Sequence, residues 1–480
     1  MNFPRPSVPT LSALSLALLV SACAVTKVDP PKPFAAPPAF KETGDWEHAE
    51  GFKPGLDPAL VPDDWWTVFK DPVLDDLQKR LVIGNENLKQ ALAQVASARA
   101  VVDASTMALF PTLSLGAGGT RSATAPSNTL PTTANPSNNL NLTATAGWEV
   151  DVWGRLQQAL SGAELTLQAN VNDLASARLS AQATLTQSYF SLRATEGQIE
   201  LYQRTVEAYQ RSLNLTQARY QDGVAARTDV LQAQTQFETA QAQLHDFLAQ
   251  RAQLEHSIAV LLGLAPSELT VAESGPLPSA PEVPAQLPSQ LLERRPDIAA
   301  ARGRVQAAYQ QIGVADAAFF PSINLAATAG YKSNVLTNLT TAPNLFWSLG
   351  PSMALQILDS GQMRLASAQA RATADQLTSV YRQTVLTAFQ EVEDNLALAT
   401  QLKAEVRFQE QALKAAQENL SITLEQYRYG TVSYLNVITA QTTALSTESA
   451  LLTLRNRQLA AVSLLLKNIA GRWETAKVKA

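Results

Sequence analysis

Two hydrophobic rhythms alternate along this chain, one helical and one of period two. From Arg155 to about Tyr220 there is no proline, glycine is confined to Gly162 and Gly197, and Leu156, Leu160, Ala163, Leu167 and Leu174 recur at helical spacing. A stretch from Gln362 to about Tyr427 does the same without any glycine or proline. At about 1.5 Å per residue such a helix reaches about 100 Å, too long for one globular core, which calls for a tube, a bundle or a coiled coil. Each long helix is predicted to end at a glycine turn, Gly223 or Gly430, after which a second helix returns over Asp229 to Leu262 and Leu435 to Ile469. Shorter helices are expected over about Leu74 to Met107 and Pro296 to Ala317. The helical faces are rich in Ala, Ser, Thr and Gln, a composition that suits a wall with water on one side better than a dry bundle.

The second rhythm lies between the short and long helices. From Leu140 the residues Leu140, Leu142, Ala144, Ala146, Trp148, Val150 and Val152 share one face, and Asn141, Thr143, Thr145, Gly147, Glu149 and Asp151 the other. Ile323, Leu325, Ala327, Ala329 and Tyr331 alternate likewise, as do Trp347, Leu349, Met353, Leu355 and Ile357. With Leu113 to Ala117, these segments predict two hairpins, at about 111–153 and 321–359. Strands of about ten residues with one apolar face and aromatic residues near their ends (here Trp148, Trp153 and Trp347) match a transmembrane barrel. A soluble sheet with one buried face shows the same alternation. Four strands cannot close a barrel, and open edges are not viable in lipid, so the chain is expected to oligomerise. Two copies give eight strands and three give twelve; the spacing does not choose.

The order of landmarks repeats. Phe110-Pro111 recurs as Phe320-Pro321, Gly154 as Gly361, the turn Tyr220 to Gly223 as Tyr427 to Gly430, and Asp229-Val-Leu as Asn436-Val-Ile. Each copy is itself a multi-element unit, so an internal duplication is expected.

The N-terminus bears on location. Arg5 precedes an apolar run from Leu11 to Val20, which is short for a membrane span but suited to a signal peptide over residues 1–22. Small residues end at Cys23, the only cysteine in the chain, in the manner of a bacterial lipobox. Cys23 is therefore expected to be acylated, and Ala24 after it points to outer membrane sorting; an ordinary signal peptide with an incidental cysteine is the alternative. Residues 23–62 read as a lipid-anchored, Pro-rich tether.

Composition removes several classes. Basic residues number 37 and acidic ones 42, a net charge of -5 with no basic block, so there is no electrostatic footprint for nucleic acid. None of the three histidines, His48, His245 and His256, has a ligand-like neighbour at metal spacing. Nucleotide-binding glycine motifs and a nucleophile elbow are missing from the sequence, and an enzyme is not expected. No cofactor is expected beyond the covalent lipid on Cys23.

Several motifs in a fixed order carry a resemblance: Trp148-Glu-Val-Asp-Val-Trp-Gly-Arg155, Arg294-Arg-Pro-Asp-Ile298 followed by Ala317-Ala-Phe-Phe-Pro321, Ile357-Leu-Asp-Ser-Gly-Gln362 and Val385 to Asp394. They resemble the lipoprotein branch of the TolC-like outer membrane factors, the OprM and NodT group, over roughly Asp63 to Gly471. Trp65-Trp66, Phe69 and Leu74 resemble the start of that family's periplasmic part. The resemblance implies a mainly α protein with β structure, a long helical barrel plus a membrane β-barrel formed by a homotrimer with four strands per protomer. It divides the chain into a first repeat at 63–269, a linker at 270–290, a second repeat at 291–471 and a tail at 472–480. The implied role is a passive outer membrane exit duct of a tripartite efflux system for drugs or toxic compounds, partnered by a periplasmic adaptor, an inner membrane pump and outer membrane lipid. A duct for peptide or protein secretion and a non-channel periplasmic scaffold are the alternatives.

In that family the helix-to-helix turns converge and lock the aperture, which assigns a gate to Arg219, Tyr220, Asp222, Arg227, Asp229, Tyr427, Arg428 and Tyr429. The Gly223 and Gly430 turns are the implied adaptor docking surface. Relatives often place carboxylates at the positions of Asn436 and Thr439; their absence here turns attention to Asp222 and Asp229. Arg295, Pro296 and Asp297 read as a helix start. Glu391, Glu393 and Asp394 read as a solvated or inter-protomer face, and Gly154 and Gly361 as strand-to-helix corners.

Overall fold

The structure is a computed structural model that describes residues 64–123, 136–272, 275–281 and 295–469. The signal peptide, Cys23, the tether, the tail and parts of the linker and of the first hairpin loop lie outside the described residues. Two compact units are distinguished. One contains Gln94–Val171 and Ala300–Arg382, and the other the described parts of 64–93, Asn172–Ala299 and 383–469. Among the described residues the longer helices are α1 (Pro72–Gly84), α2 (Glu86–Met107), α3 (Arg155–Gln221), α4 (Arg227–Leu261), α5 (Pro296–Ala317), α6 (Gln362–Arg428) and α7 (Tyr434–Ile469). None of them is long and apolar enough to cross a membrane.

The first unit is built on a four-stranded antiparallel sheet: β1 (Thr112–Ser122), β2 (Ser137–Glu149), β3 (Ser322–Ser333) and β4 (Leu345–Ala354), in that order. The two hairpins are not separate, because β2 pairs with β3 from Leu140↔Ser333 to Glu149↔Asn324. Register makes the faces continuous. Leu115 lies opposite Ala144, Ala144 opposite Ala329, and Ala329 opposite Trp347, while Thr145, Thr328 and Ser348 line the other face. A slip of one residue in any ladder would place apolar side chains among the polar ones. Leu115, Trp347 and Leu349 are exposed in the single chain, and among the described residues β1 and β4 are unpaired edges.

Both strand ends differ from the sequence expectation. β2 stops at Glu149 rather than running to Val152, although Val150 still donates its N–H to Ile323 O at 2.9 Å. Trp153 turns inward, stacks on Phe320 with ring centroids 5.0 Å apart and donates Nε1–H to Pro321 O, so it is a corner residue and not part of an aromatic girdle. β4 ends at Ala354, leaving Leu355 and Ile357 beyond the sheet, since the following residues are drawn into capping α6. Asp359 accepts from the N–H groups of Gly361 and Met363, and Asp151 accepts from that of Gln157 at α3. A carboxylate at a helix N-terminus satisfies orphan donors and complements the dipole. Gly154 and Gly361 make the corner in both copies with φ of 76° and 86°, a region hostile to a Cβ. Below the sheet, α5 packs on α6 through Ala308, Ile312 and Ala374, with Asp316 accepting from Ser367 Oγ and paired with Arg371.

The second unit holds most of the apolar core. Trp65, Trp66, Phe69 and Leu74 are all buried, with Phe69 edge-on to Phe190 at 4.8 Å. Asp71 caps α1 by accepting from the N–H groups of Val73 and Leu74, and its other oxygen accepts from Tyr189. The helix expected over Leu74 to Met107 is broken at Asn85, whose side chain donates to Leu261 O at 2.7 Å and accepts from Leu88 N–H. That outside partner outweighs helix continuation.

Two ionic groups organise this unit. Arg251 pairs with Glu196 and Glu255 and donates to Val271 O, while Arg193 pairs with Glu196 and donates to Gly275 O, so the chain after the first repeat is pinned to α3 and α4. Buried Arg295 forks onto Asp297, with Nε and Nη2 to the two oxygens, and its Nη1 reaches Glu391 and Asn468. Burial opposes its charge, but hydrogen bonds and the two carboxylates prevail and raise its pKa. Arg295 is thus more than a helix start. Glu391 is correspondingly not simply solvated: it is half of an ion pair inside the chain.

Candidate functional site at the helix turns

α3 and α6 are each 67 residues long and end in the same backbone device. After α3, Gly223 N–H donates to Tyr220 O and Val224 N–H to Arg219 O; after α6, Gly430 N–H donates to Tyr427 O and Thr431 N–H to Gln426 O. These are two Schellman turns, with glycine at φ of 74° and 77° where an L-residue is strained. The return helices α4 and α7 then start at Arg227 and Tyr434. The two turns are therefore equivalent residue for residue, at a spacing of 207 positions.

Chemically the turns are not equivalent. Arg219, at the end of α3, donates Nη1–H to Tyr427 O at 2.7 Å and lies 4.8 Å from the centre of the Tyr427 ring. One guanidinium thus ties the first repeat to the second. Tyr427 and Tyr434 are buried with Leu213, Ala233 and Val437, their rings 5.4 Å apart. Burial, followed by the neighbouring Tyr427 and Tyr209, pushes the Tyr434 hydroxyl up to about 12. Burial and Tyr202 push Tyr209 up to about 12 as well. A phenolate has little solvation here, so these rings stay neutral packing elements.

The remaining candidates are distributed differently. Asp229 turns back onto its own helix start, accepting from Ala226 N–H at 3.3 Å, while Asp222 and Arg227 are exposed. Arg428 pairs with Glu425 at 2.6 Å, and Tyr220 and Tyr429 are exposed, Tyr429 by 81 %. A groove of about 850 Å³ runs along the end of α6, between Ile422, Leu424, Glu425, Arg428, Tyr429 and Thr431. Within one chain, then, Arg219 and Tyr427 come together, and Tyr220, Asp222, Arg227 and Tyr429 face outward. Sequence reasoning missed Tyr434, Tyr209 and Thr216, which shares a hydrogen bond with Tyr434. The signal was present as tyrosines seven positions apart, Tyr202 with Tyr209 on α3 and Tyr427 with Tyr434 across the Gly430 turn.

Comparison with known proteins places this arrangement. A family model described as outer membrane efflux protein matches residues 77–264 and 287–471. The pyoverdine export outer membrane protein OpmQ of Pseudomonas aeruginosa is 29% identical over 476 residues, covering 98% of both chains. The toluene efflux pump outer membrane protein TtgC of Pseudomonas putida is 30% identical over 442 residues, covering 91% of both. A solved structure of the outer-membrane channel OprN superposes with a TM-score of 0.86 at 27% identity, covering 94% of this chain and all of that one.

Proposed function

This chain belongs to the outer membrane efflux protein family and is an outer membrane duct of an efflux system; from that premise we propose the assembly, partners and gate through which it works. Three protomers close a twelve-stranded barrel around a water-filled lumen. The observation that carries this reading is the sheet: four strands with matched apolar and polar faces and two unpaired edges, which lipid does not tolerate. The apolar face meets lipid and the face of Thr, Ser, Asn and Gly meets water. A protein of this design is a passive conduit without an enzymatic step or a resident cofactor. An inner membrane pump supplies the energy, and an adaptor docks at the Gly223 and Gly430 turns. Relatives whose names specify pyoverdine export and toluene efflux support small organic molecules as cargo.

The gate is assigned to the helix turns. It rests closed while contacts across the turns hold, and opens when the adaptor binds the splayed turns better than the closed ones. Cys23 carries the lipid that anchors the mature N-terminus. Light scattering of the detergent-solubilised protein, corrected for bound detergent, tests the assembly: three protomers are expected, and a monomer soluble without detergent would exclude a duct.

A further inference from the structure

One residue breaks the polar face of the sheet. Leu345, Phe346 and Trp347 are consecutive in β4, so the middle ring falls on the face of Thr143, Thr145, Thr328 and Ser348. Among the described residues of that face it is the only apolar side chain larger than alanine. Phe346 stands opposite Gly330, Gly330 opposite Thr143, and Thr143 opposite Gly116. Gly330 has no room for a Cβ, which would run into Leu142 O, and Thr143 leans back to donate its hydroxyl to Gly116 O at 3.5 Å. The row beside the ring is nearly bare, and Phe346 is exposed.

Charge singles out the same end of the sheet. From Pro111 to Trp148 the only charged residue is Arg121, and from Pro321 to Leu358 the only one is Lys332. Neither hairpin carries an acid, although the whole chain has a net charge of -5. Arg121 falls on the apolar face, opposite Asn138. Lys332 falls on the polar face, opposite Asn141 and two positions along β3 from Gly330, which makes it the diagonal neighbour of Phe346. Diagonal neighbours across a ladder lie about 7–8 Å apart, a span that one small ligand bridges. At the helix end of the same face, Glu149 is neutralised by Arg155 at 2.8 Å. Phe346 and Lys332 both sit where β3 turns into β4, at the opposite end of the strands from the corners into α3 and α6.

We propose that Phe346 and Lys332 of the three protomers form a collar at the exit end of the lumen, where they bind aromatic anions weakly on their way out. The collar requires the trimeric duct proposed above. Twelve strands about 4.8 Å apart and tilted by about 40° enclose a barrel about 24 Å across between backbones. Along most of its length the polar face is Thr, Ser, Asn, Gly and Ala, which give a flat ring nothing to stack on. At the collar an aromatic face meets Phe346 and an acidic group meets Lys332. Contacts to such exposed groups are weak, which suits a conduit, because a site that binds tightly retains its cargo.

The test measures block of the ion current through the full-length protein in a planar bilayer by three probes: 1-naphthoate, 1-naphthylmethylammonium and cyclohexanecarboxylate, each added to both sides. For the parent chain, 1-naphthoate is expected to block at the lowest concentration. Phe346→Ala should raise its half-blocking concentration about fivefold, the effect of one lost ring contact, and Phe346→Tyr should preserve it. Lys332→Gln should raise it about threefold and narrow the difference between the aromatic anion and the aromatic cation. If Phe346→Ala does not assemble, Phe346→Leu makes the same comparison, keeping apolar bulk without the aromatic face. Equal block by the three probes in the parent, or block by 1-naphthoate unchanged in both the Phe346 and Lys332 variants, would overturn the collar and leave the duct standing. A parent chain that neither forms trimers nor carries current would overturn the duct and the collar with it.

Discussion

Arg219 shows how far a single residue's role depends on its surroundings. In the sequence it is one of several charged groups near a glycine turn; in the fold it caps the carbonyl of Tyr427 and covers that ring. The aromatic cluster beneath it has a measurable signature. Tyr209 and Tyr434 are held near 12 in the folded protein against an ordinary value near 10. The unfolded chain therefore loses these protons first. Their contribution to stability is complete below about pH 10 and declines as pH rises from about 10 to about 12. Ultraviolet titration of the tyrosinate band should show Tyr209 and Tyr434 among the late-ionising tyrosines, and Tyr434→Phe should remove one late-ionising group. Late ionisation unaffected by that replacement would place the raised group elsewhere. Asp229 and Asp222, paired in expectation, divide here into a helix cap and an exposed acid.

At the scale of elements, the strands follow their binary pattern closely because alternation carries register directly: one face is apolar across all four strands only in the observed pairing. Ala327 sits mid-strand in β3 on that face, opposite Ala146 and Leu349. Ala327→Arg should cost about 2–4 kcal/mol in the membrane. It should reduce the folded, heat-modifiable fraction recovered from outer membranes, while Thr328→Arg on the opposite face should be tolerated. Equal loss from both would contradict the facing. Element ends were less legible. The break at Asn85 and the inward turn of Trp153 each depend on a partner distant in sequence, Leu261 and Phe320 with Pro321, while the early stop of β4 depends on the capped start of α6 that follows it.

At the scale of the whole molecule, the duplication was legible from glycine and Phe-Pro landmarks because turns and corners constrain residue type most strictly. What the repeat does with its two copies was not. The two hairpins join into one sheet, the linker after the first repeat is clamped by Arg193 and Arg251, and the second repeat is fastened at Arg295 to Glu391 and Asn468. Outer membrane residence itself follows from family membership. The lipid proposed for Cys23 is a separate, testable attachment: Cys23→Ser should abolish incorporation of labelled fatty acid and leave the chain uncut or unanchored. Labelling that survives the replacement would disprove acylation there.

By itself the amino-acid pattern determined the helix and strand sequence, the two-copy plan, the amphipathic faces and the turns, since these rest on local backbone preference and on periodicity. Only the tertiary structure decided which polar groups meet: the Arg219 clasp, the buried tyrosines, the Arg295 fork and the ionic clamp on the linker. Most of those pairings join residues far apart in the chain, and their energies depend on burial and on distance, neither of which a linear sequence records.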